Sequence, residues 1–367
     1  MVVHIIGAGL AGLSTAVHLT QLGVKAVVYE ATDHAGGRCW SFFDTKTQAF
    51  LDCGTHLMTG ANKALFELLE ICDSENTLTD EGSKIPFYDI KRKKFFQVNL
   101  GHPLRSIFRA KKIYPLIAKS IMNTPVDDLD HAMVVRTLFK CLKKDSTHIF
   151  LAKKTLKESV IDPIEKYLKK NGVSIHFNHR LKAVYKEELV FFDKTVSLEK
   201  EDMVVLTLPL SSLSKYVRNI DEFETNTILN IHYKSDAVLK NGRSFTGIIG
   251  SPYVDFVFTK NGVVSVTLSA ADKILASCST QTLVKSVWKT VSQTLRKPGV
   301  LPSYRIIANK RATPVQTKRF NDSRPQTDIG DYMLFWASDC AQTGLPCTME
   351  SAVLSGKNAA ETILQNL

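Results

Sequence analysis

The chain has no CxxC pair, and its seven cysteines are odd in number and lack short paired spacings. That excludes a disulfide framework and reads as the reduced thiols of a cytoplasmic protein. No Cys/His cluster shows metal-ligand spacing. No apolar run reaches the roughly 20 residues of a membrane-crossing helix. The N-terminus passes straight into a strand, which predicts the absence of a signal peptide. Internal repeats and low-complexity tracts are missing, as is any nucleic-acid-binding module, so nucleic acid is not an expected partner. What is left is a soluble or peripheral protein whose 367 residues, 44% of them hydrophobic, suggest about two domains.

Acidic residues are also absent from one long stretch. Between Ile90 and Val126 there is no Asp or Glu, while Lys91, Arg92, Lys93, Lys94, Arg105, Arg109, Lys111, Lys112 and Lys119 are interleaved with Phe95, Phe96, Phe108 and Tyr114. The whole chain carries a net charge of +11. Two readings stand. One is a solvated helical face. The other is a patch that docks on an anionic membrane surface, where each basic residue contributes about 1 kcal/mol. The second reading places the protein peripherally on the inner face of the membrane.

The first thirty residues are the most informative part that is present. Val2–Ile6 reads as a buried strand, Gly7-Ala8-Gly9-Leu10-Ala11-Gly12 as a turn, and the run to Leu22 as a helix. A second strand, Ala26–Tyr29, then ends in Glu30. This strand–turn–helix–strand–acid order has the spacing a dinucleotide requires. Gly7 permits the tight turn, Gly9 lets backbone approach a pyrophosphate, and Gly12 lets helix and strand pack closely. Glu30 is placed to accept hydrogen bonds from both ribose hydroxyls, which argues against a 2′-phosphorylated ligand. A second glycine loop, Gly36-Gly37-Arg38, brings further backbone and a fork of guanidinium donors to the same region.

Further along, helices are predicted at Asn62–Cys72, Ile161–Asn171 and Thr282–Leu295. Strands are predicted at Pro86–Ile90, Phe95–Val98, Val173–Phe177 and Asp202–Thr207. Tyr253–Thr259 and Val263–Leu268 read as a hairpin turning at Asn261-Gly262. The chain closes with a strand over Tyr332–Trp336 and a helix over Thr348–Gln365. In that helix Ala352, Gly356 and Ala360 make one face small enough for very close packing.

Three separated pieces, GAGLAGL with Glu30, HAGGR at His34–Arg38, and ASD…TGLP…MESAVLSGKNAA, resemble the flavin-containing amine oxidase and carotenoid desaturase superfamily. Within it, Asp52–Asn62 (DCGTHLMTGAN), LKESVID at Leu156–Asp162, Lys310-Arg311-Ala312-Thr313 and Thr343-Gly344-Leu345-Pro346 are similar to motifs of the hydroxysqualene dehydroxylases of bacterial squalene and hopanoid synthesis. The sequence departs from that pattern at Cys53 and Thr55, where Asn is usual, at Ser338, where Gly is usual, and in its shorter length.

The resemblance implies an α/β fold. A Rossmann-type FAD-binding domain from split segments (1–85, 150–225 and 328–367) would be joined to an α+β substrate-binding domain (86–149 and 226–327). It implies FAD, held by Gly7, Gly9, Leu10, Ala11, Gly12, Glu30, Gly36, Gly37, Arg38, Asp339, Pro346, Thr348 and Met349. It also implies an isoprenoid lipid substrate, an electron donor that the sequence leaves unidentified, and hydride transfer from reduced flavin to an allylic carbon as water leaves. His56 is the candidate general acid for the leaving oxygen, set against a plainer role as a histidine bonded to backbone at a strand end. Asp52 reads as a structural carboxylate, Cys53 as a small buried thiol and Trp336 as core. Arg311 reads either as a group holding flavin or the domain interface, or as a structural ion pair. Two other activities fit the same scaffold: a phytoene- or carotenoid-type desaturase, and an amine or porphyrinogen oxidase. A reading from another class is a non-catalytic flavin-binding protein of the membrane surface.

Overall fold

The computed structural model describes residues 1–102, 107–329 and 333–367, with backbone only at 107 and 108. Arg105, the Phe108 side chain and Tyr332, all singled out above, lie outside the described residues.

Val3–Ile6 is apolar or shielded at every position and is buried throughout, as expected of a strand covered on both faces. It is the centre of a five-stranded parallel sheet. The order is Ser174–His176, Ala26–Tyr29, Val3–Ile6, Met203–Leu206, Leu334–Trp336. These strands come from three distant parts of the chain. The helix Leu10–Gln21 follows the first strand, and the last helix, Met349–Gln365, packs beside it. The small face of that last helix explains the contact. A Cβ on Gly356 would lie 2.4 Å from the Ala11 carbonyl oxygen and 2.8 Å from Ser14 Cβ. Ser14 Oγ donates to the Val353 carbonyl at 2.8 Å across the same seam. One apolar cluster joins both helices to Lys63–Ile71, Asp162–Lys170 and one face of the sheet. This is a Rossmann-type layer assembled from split segments.

A seven-stranded mixed sheet forms the second layer system. Its order is Tyr304–Pro314, Thr225–Lys234, Val263–Leu268, Phe256–Lys260, Phe245–Ile249, Lys84–Asp89, Lys94–Asn99. The hairpin turn falls at Asn261-Gly262, where φ is +50° and +72°, the pair of positive values that suits a two-residue loop. The helix Thr280–Val291 covers this sheet through Leu283, Val284, Val287 and Val291. Two strands run across the divisions drawn from sequence: Lys84–Asp89 passes 85/86 and Ile149–Ala152 passes 149/150.

Within the acid-free stretch, Lys94–Asn99 pairs with the preceding strand Lys84–Asp89, and the helix Ile107–Met122 is laid against that hairpin. Three of its cations are used internally. Lys112 pairs with Asp89, Lys119 with Asp255 at 2.5 Å, and Arg109 donates to the Gln97 carbonyl while lying over the Phe96 ring. Lys91, Arg92, Lys93, Lys94 and Lys111 remain exposed. No helix among the described residues is long and apolar enough to cross a membrane.

Candidate functional site

The first glycine turn is held from two sides. Gly7 has φ +115° and donates its N–H to the Tyr29 carbonyl at 2.7 Å. Thr207, at the end of the strand Met203–Leu206, donates its hydroxyl towards the carbonyls of Ile6 and Gly7, each at 2.9 Å. A Cβ on Gly12 would sit 2.0 Å from the Gly7 carbonyl oxygen, so the helix starts against the turn only because that position has no side chain. Thr207 was not singled out from sequence, since nothing local marks a strand-end threonine as the brace of a turn some 200 residues earlier.

Glu30 joins the second strand to this turn. One carboxylate oxygen accepts the Ala8 N–H at 2.8 Å, and the other accepts the Thr32 N–H and hydroxyl, both at 2.9 Å. Gly36 donates to the Ala8 carbonyl at 2.8 Å and bridges Gly9, bringing the second glycine loop onto the first. A Cβ on Gly37 would lie 3.3 Å from Gly9 Cα, whereas a Cβ on Gly9 would meet nothing within 4 Å. The open side of Gly9 and the start of the following helix, which no side chain caps and whose first turn holds no acidic residue, make a cradle for an anionic phosphate.

Arg38 gathers three motifs. Its guanidinium forks onto Asp339, at 2.6 Å to Oδ1 and 3.0 Å to Oδ2, and also reaches the Ala312 carbonyl at 2.5 Å. Burial pushes the Asp339 carboxyl up, but the charge and hydrogen bonds of Arg38, with help from Ser338, outweigh it and hold it below its ordinary value. The Arg38 side chain itself is 47% exposed, with one side open to solvent. Asp339 is fixed by the last helix: Ser351 Oγ donates to its carbonyl at 2.8 Å, and the Ser338 N–H donates to Ser355 Oγ at 2.8 Å. Thr348 caps that helix, so Pro346, Thr348 and Met349 lie at its start. Glu350 reaches across to accept the N–H groups of Ala64 and Leu65 at 2.9 and 3.0 Å, capping the helix Lys63–Ile71.

Asp52 accepts from Ser41 Oγ at 2.6 Å and from the Leu156 N–H at 2.8 Å, a structural tie between segments. Next to it the Cys53 carbonyl accepts the side-chain amides of Asn230 and Asn309, both at 3.2 Å, from two neighbouring strands of the larger sheet. His56 follows in the same segment and makes no hydrogen bond with any described residue. Burial, then the charge of Arg38, lowers it from the ordinary histidine range to about 4, so the ring is neutral at pH 7. Burial and Asp52 push the Cys53 thiol up, which keeps it protonated. Trp336 is fully buried, and its indole N–H donates to the Leu208 carbonyl at 3.1 Å. Arg311 is exposed and forms no ion pair among the described residues.

The family model for flavin containing amine oxidoreductase matches residues 10–133 and 118–364. The chain belongs to that family. Its cofactor is FAD, and it is an FAD-dependent oxidoreductase. Within the family it is 30% identical over 420 residues to hydroxysqualene dehydroxylase of Zymomonas mobilis, covering 100% of this chain and 99% of the relative. Hydroxysqualene dehydroxylase of Sinorhizobium fredii is 28% identical over 413 residues, covering 99% and 98%. The solved structure of a putrescine oxidase bound to putrescine aligns with a TM-score of 0.72 over 100% of this chain and 99% of that one. At 15% identity that likeness speaks for the fold alone.

The residues present fit the cofactor. The cradle at Gly9, the acid at Glu30, and the fork of Arg38 with Asp339 supply donors, acceptors and space of the kinds a dinucleotide takes.

Proposed function

We propose that the protein reduces hydroxysqualene to squalene. The observation that carries this reading is end-to-end similarity to hydroxysqualene dehydroxylases, which takes in almost all of this chain and of each relative. Reduced FAD, when bound, supplies the hydride for an allylic carbon.

The chain's own part is binding, orientation and protonation. Gly7, Gly9, Leu10, Ala11, Gly12, Gly36 and Gly37 offer backbone to the pyrophosphate, Glu30 takes the ribose, and Arg38 with Asp339 takes the phosphate–ribityl region. Pro346, Thr348 and Met349 present the start of the last helix to the flavin. Segments 1–85, 150–225 and 328–367 hold the cofactor. The remainder, 86–149 and 226–327, closes over an isoprenoid chain.

His56 lies within the electrostatic reach of Arg38 on a segment clamped to Asn230 and Asn309, between the cofactor site and the larger sheet. Neutral at pH 7, it donates a hydrogen bond to the departing hydroxyl. Full proton transfer belongs to its imidazolium fraction, which grows as pH falls.

An isoprenoid substrate resides in lipid, and a docking face is consistent with that source. Val135 and Phe139, one helical turn apart on His131–Cys141, are 42% and 67% exposed. Arg136 and Lys140 on the same helix, and Lys143 and Lys144 just after it, are exposed. Tyr114 joins this helix to the basic helix before it through His131, at 2.6 Å. Aromatic insertion with exposed cations suits an anionic bilayer.

The deciding experiment is anaerobic. Photoreduced protein is mixed with hydroxysqualene, the lipid is extracted, and flavin absorbance is followed. Squalene formed in step with flavin reoxidation is the expected result. A flavin that stays reduced with no squalene formed would sink the substrate assignment while leaving the cofactor in place.

A further inference from the structure

Two cysteines that the flavin site does not use lie side by side. Cys340 directly follows Asp339, and Cys347 directly precedes Thr348, the cap of the last helix. Their sulfur atoms are 3.7 Å apart, and both residues are buried. Against Cys347 stands a buried cation. Arg324 is 4% exposed and donates to Cys347 Sγ at 3.3 Å, to the Leu345 carbonyl at 2.5 Å, to Gln316 Oε1 at 3.3 Å and to the Ala341 carbonyl at 3.5 Å. Its Nε has no partner, and no carboxylate pairs with it among the described residues. Its charge acts on Asp339 without touching it and it lies over the Phe320 ring, so every atom that accepts a hydrogen bond from this buried guanidinium is neutral, a costly arrangement. The sulfur of Cys347 is the one group touching it that becomes an anion by losing a proton.

We propose that Cys340 and Cys347 are a redox-active dithiol, with Cys347 as the reacting sulfur and Cys340 as its resolving partner. With a peroxide as oxidant, the Cys347 thiolate attacks one oxygen. The O–O bond breaks, and with one proton taken up, water leaves and sulfenic acid remains. The Cys340 thiol then displaces that oxygen as a second water, forming the S–S bond. Cys347 has been oxidised by two electrons and the peroxide reduced by two. The guanidinium touches the Cys347 sulfur and not that of Cys340, which assigns the order; the neighbouring Cys347 thiol and then burial also push Cys340 well above the usual thiol range. Disulfide sulfurs lie about 2.05 Å apart, so closure draws together the two ends of the loop from Cys340 to Cys347. Those ends carry Asp339 and the helix cap Thr348.

A metal site is the rival use of the same atoms, since Asp339, Cys340 and Cys347 each offer a ligand atom within 4.8 Å of the others. Charge decides against it. Both Asp339 oxygens are taken by Arg38, and Arg324 faces Cys347. A divalent cation there would sit between two guanidinium groups.

Both cysteines fall in one tryptic peptide, since no Lys or Arg separates them. The FAD-loaded protein is treated briefly with hydrogen peroxide, denatured, alkylated and digested. The expected peptide is two hydrogens lighter and carries no alkyl group, while Cys39, Cys53, Cys72, Cys141 and Cys278 remain alkylated. In the presence of dimedone, C340S traps an adduct on Cys347 and C347S traps none on Cys340. A doubly alkylated peptide after Cys53, Cys141 and Cys278 have been oxidised overturns the proposal. So does one zinc ion per chain that survives dialysis and protects the pair. The wild-type peptide mass needs no variant to fold and no substrate to turn over, so the outcome is independent of the dehydroxylase reading.

Discussion

Arg38 and Asp339 stand 301 positions apart in the chain and meet in a two-pronged ion pair, 2.6 and 3.0 Å between heavy atoms. The glycine loop after the second strand and the turn after the last strand of the parallel sheet are thereby locked together. The same guanidinium also holds the carbonyl of Ala312 at the end of the larger sheet. Replacing Arg38 with Met leaves a buried carboxylate without its partner. Losing one member of a fully buried pair costs 3–5 kcal/mol; the half-exposed Arg38 reduces that to about 2 kcal/mol. R38M is expected to weaken FAD binding at least tenfold. R38M/D339N should unfold at a higher temperature than R38M alone, because the orphaned charge is gone. Flavin fluorescence titration and thermal melts read both effects, and additive losses in the double variant would deny the coupling.

The contact between the first and last helices depends on Gly356. Even a methyl group there would lie 2.4 Å from the Ala11 carbonyl oxygen, which is backbone and cannot rotate away. Overpacking of this kind costs roughly 1–3 kcal/mol. G356A is therefore expected to lower the melting temperature. It should also loosen FAD, because Ala11 belongs to the first turn of the phosphate-facing helix. The control G172A, at a position where a Cβ meets nothing within 4 Å but φ is +78°, carries backbone strain alone and should leave FAD affinity unchanged.

How much of this was legible in one dimension follows from how local each cause is. The glycine turn, Glu30 and the small face of the last helix are written in residues a few positions apart, and the structure places them as strand, turn and helix within one or two residues of expectation. The Asn261-Gly262 hairpin was readable for the same reason. The braces were not. Thr207 under Gly7, Asn230 and Asn309 on Cys53, and Glu350 on the helix Lys63–Ile71 act across 177 to 286 positions, and no period or motif announces them. The charge run misled in part, since a list of cations does not reveal which of them face Asp89 or Asp255.

Glu350 provides a direct test of such a distant brace. Burial pushes its carboxyl up, while the N–H groups of Ala64 and Leu65 oppose that shift. E350A leaves both donors buried without an acceptor, at about 1–3 kcal/mol each. E350Q keeps one acceptor oxygen and should fall between the two. Urea denaturation would show the order wild type, E350Q, E350A; equal midpoints would remove the capping role.

Membrane docking is expected to depend on few residues. Lys112, Lys119 and Arg109 are spent on internal contacts, so the charge left for the proposed docking is that of Lys91–Lys94, Lys111 and the exposed cations of the helix that carries Phe139. F139S should lower binding to phosphatidylglycerol vesicles several-fold. Reversing two of Lys91–Lys94 to Glu should lower it at least tenfold at about 1 kcal/mol per cation. Added salt should erase the second effect more than the first. Sedimentation with vesicles separates them, and binding unchanged in both variants would discard the docking face.

His56 gives opposite signs for rate and stability as pH falls. Burial and Arg38 lower its pKa from 6.5 to about 4. In the unfolded chain the ring takes up a proton below about pH 6.5, whereas in the fold it does so only near 4. Its contribution to stability is therefore complete above 6.5 and is lost progressively between 6.5 and 4. His232, also lowered to about 4 by burial, adds to the same loss, so H56Q should remove only part of that slope. The rate moves the other way. If the imidazolium protonates the leaving hydroxyl, kcat/KM rises as pH falls from 8 towards 5, because the charged fraction grows about tenfold per pH unit above the pKa. H56Q should flatten that rise and cost roughly a hundredfold near pH 6. A wild-type profile that is flat across this range, with H56Q equally active, would reduce His56 to a structural residue of the Asp52–Thr59 segment.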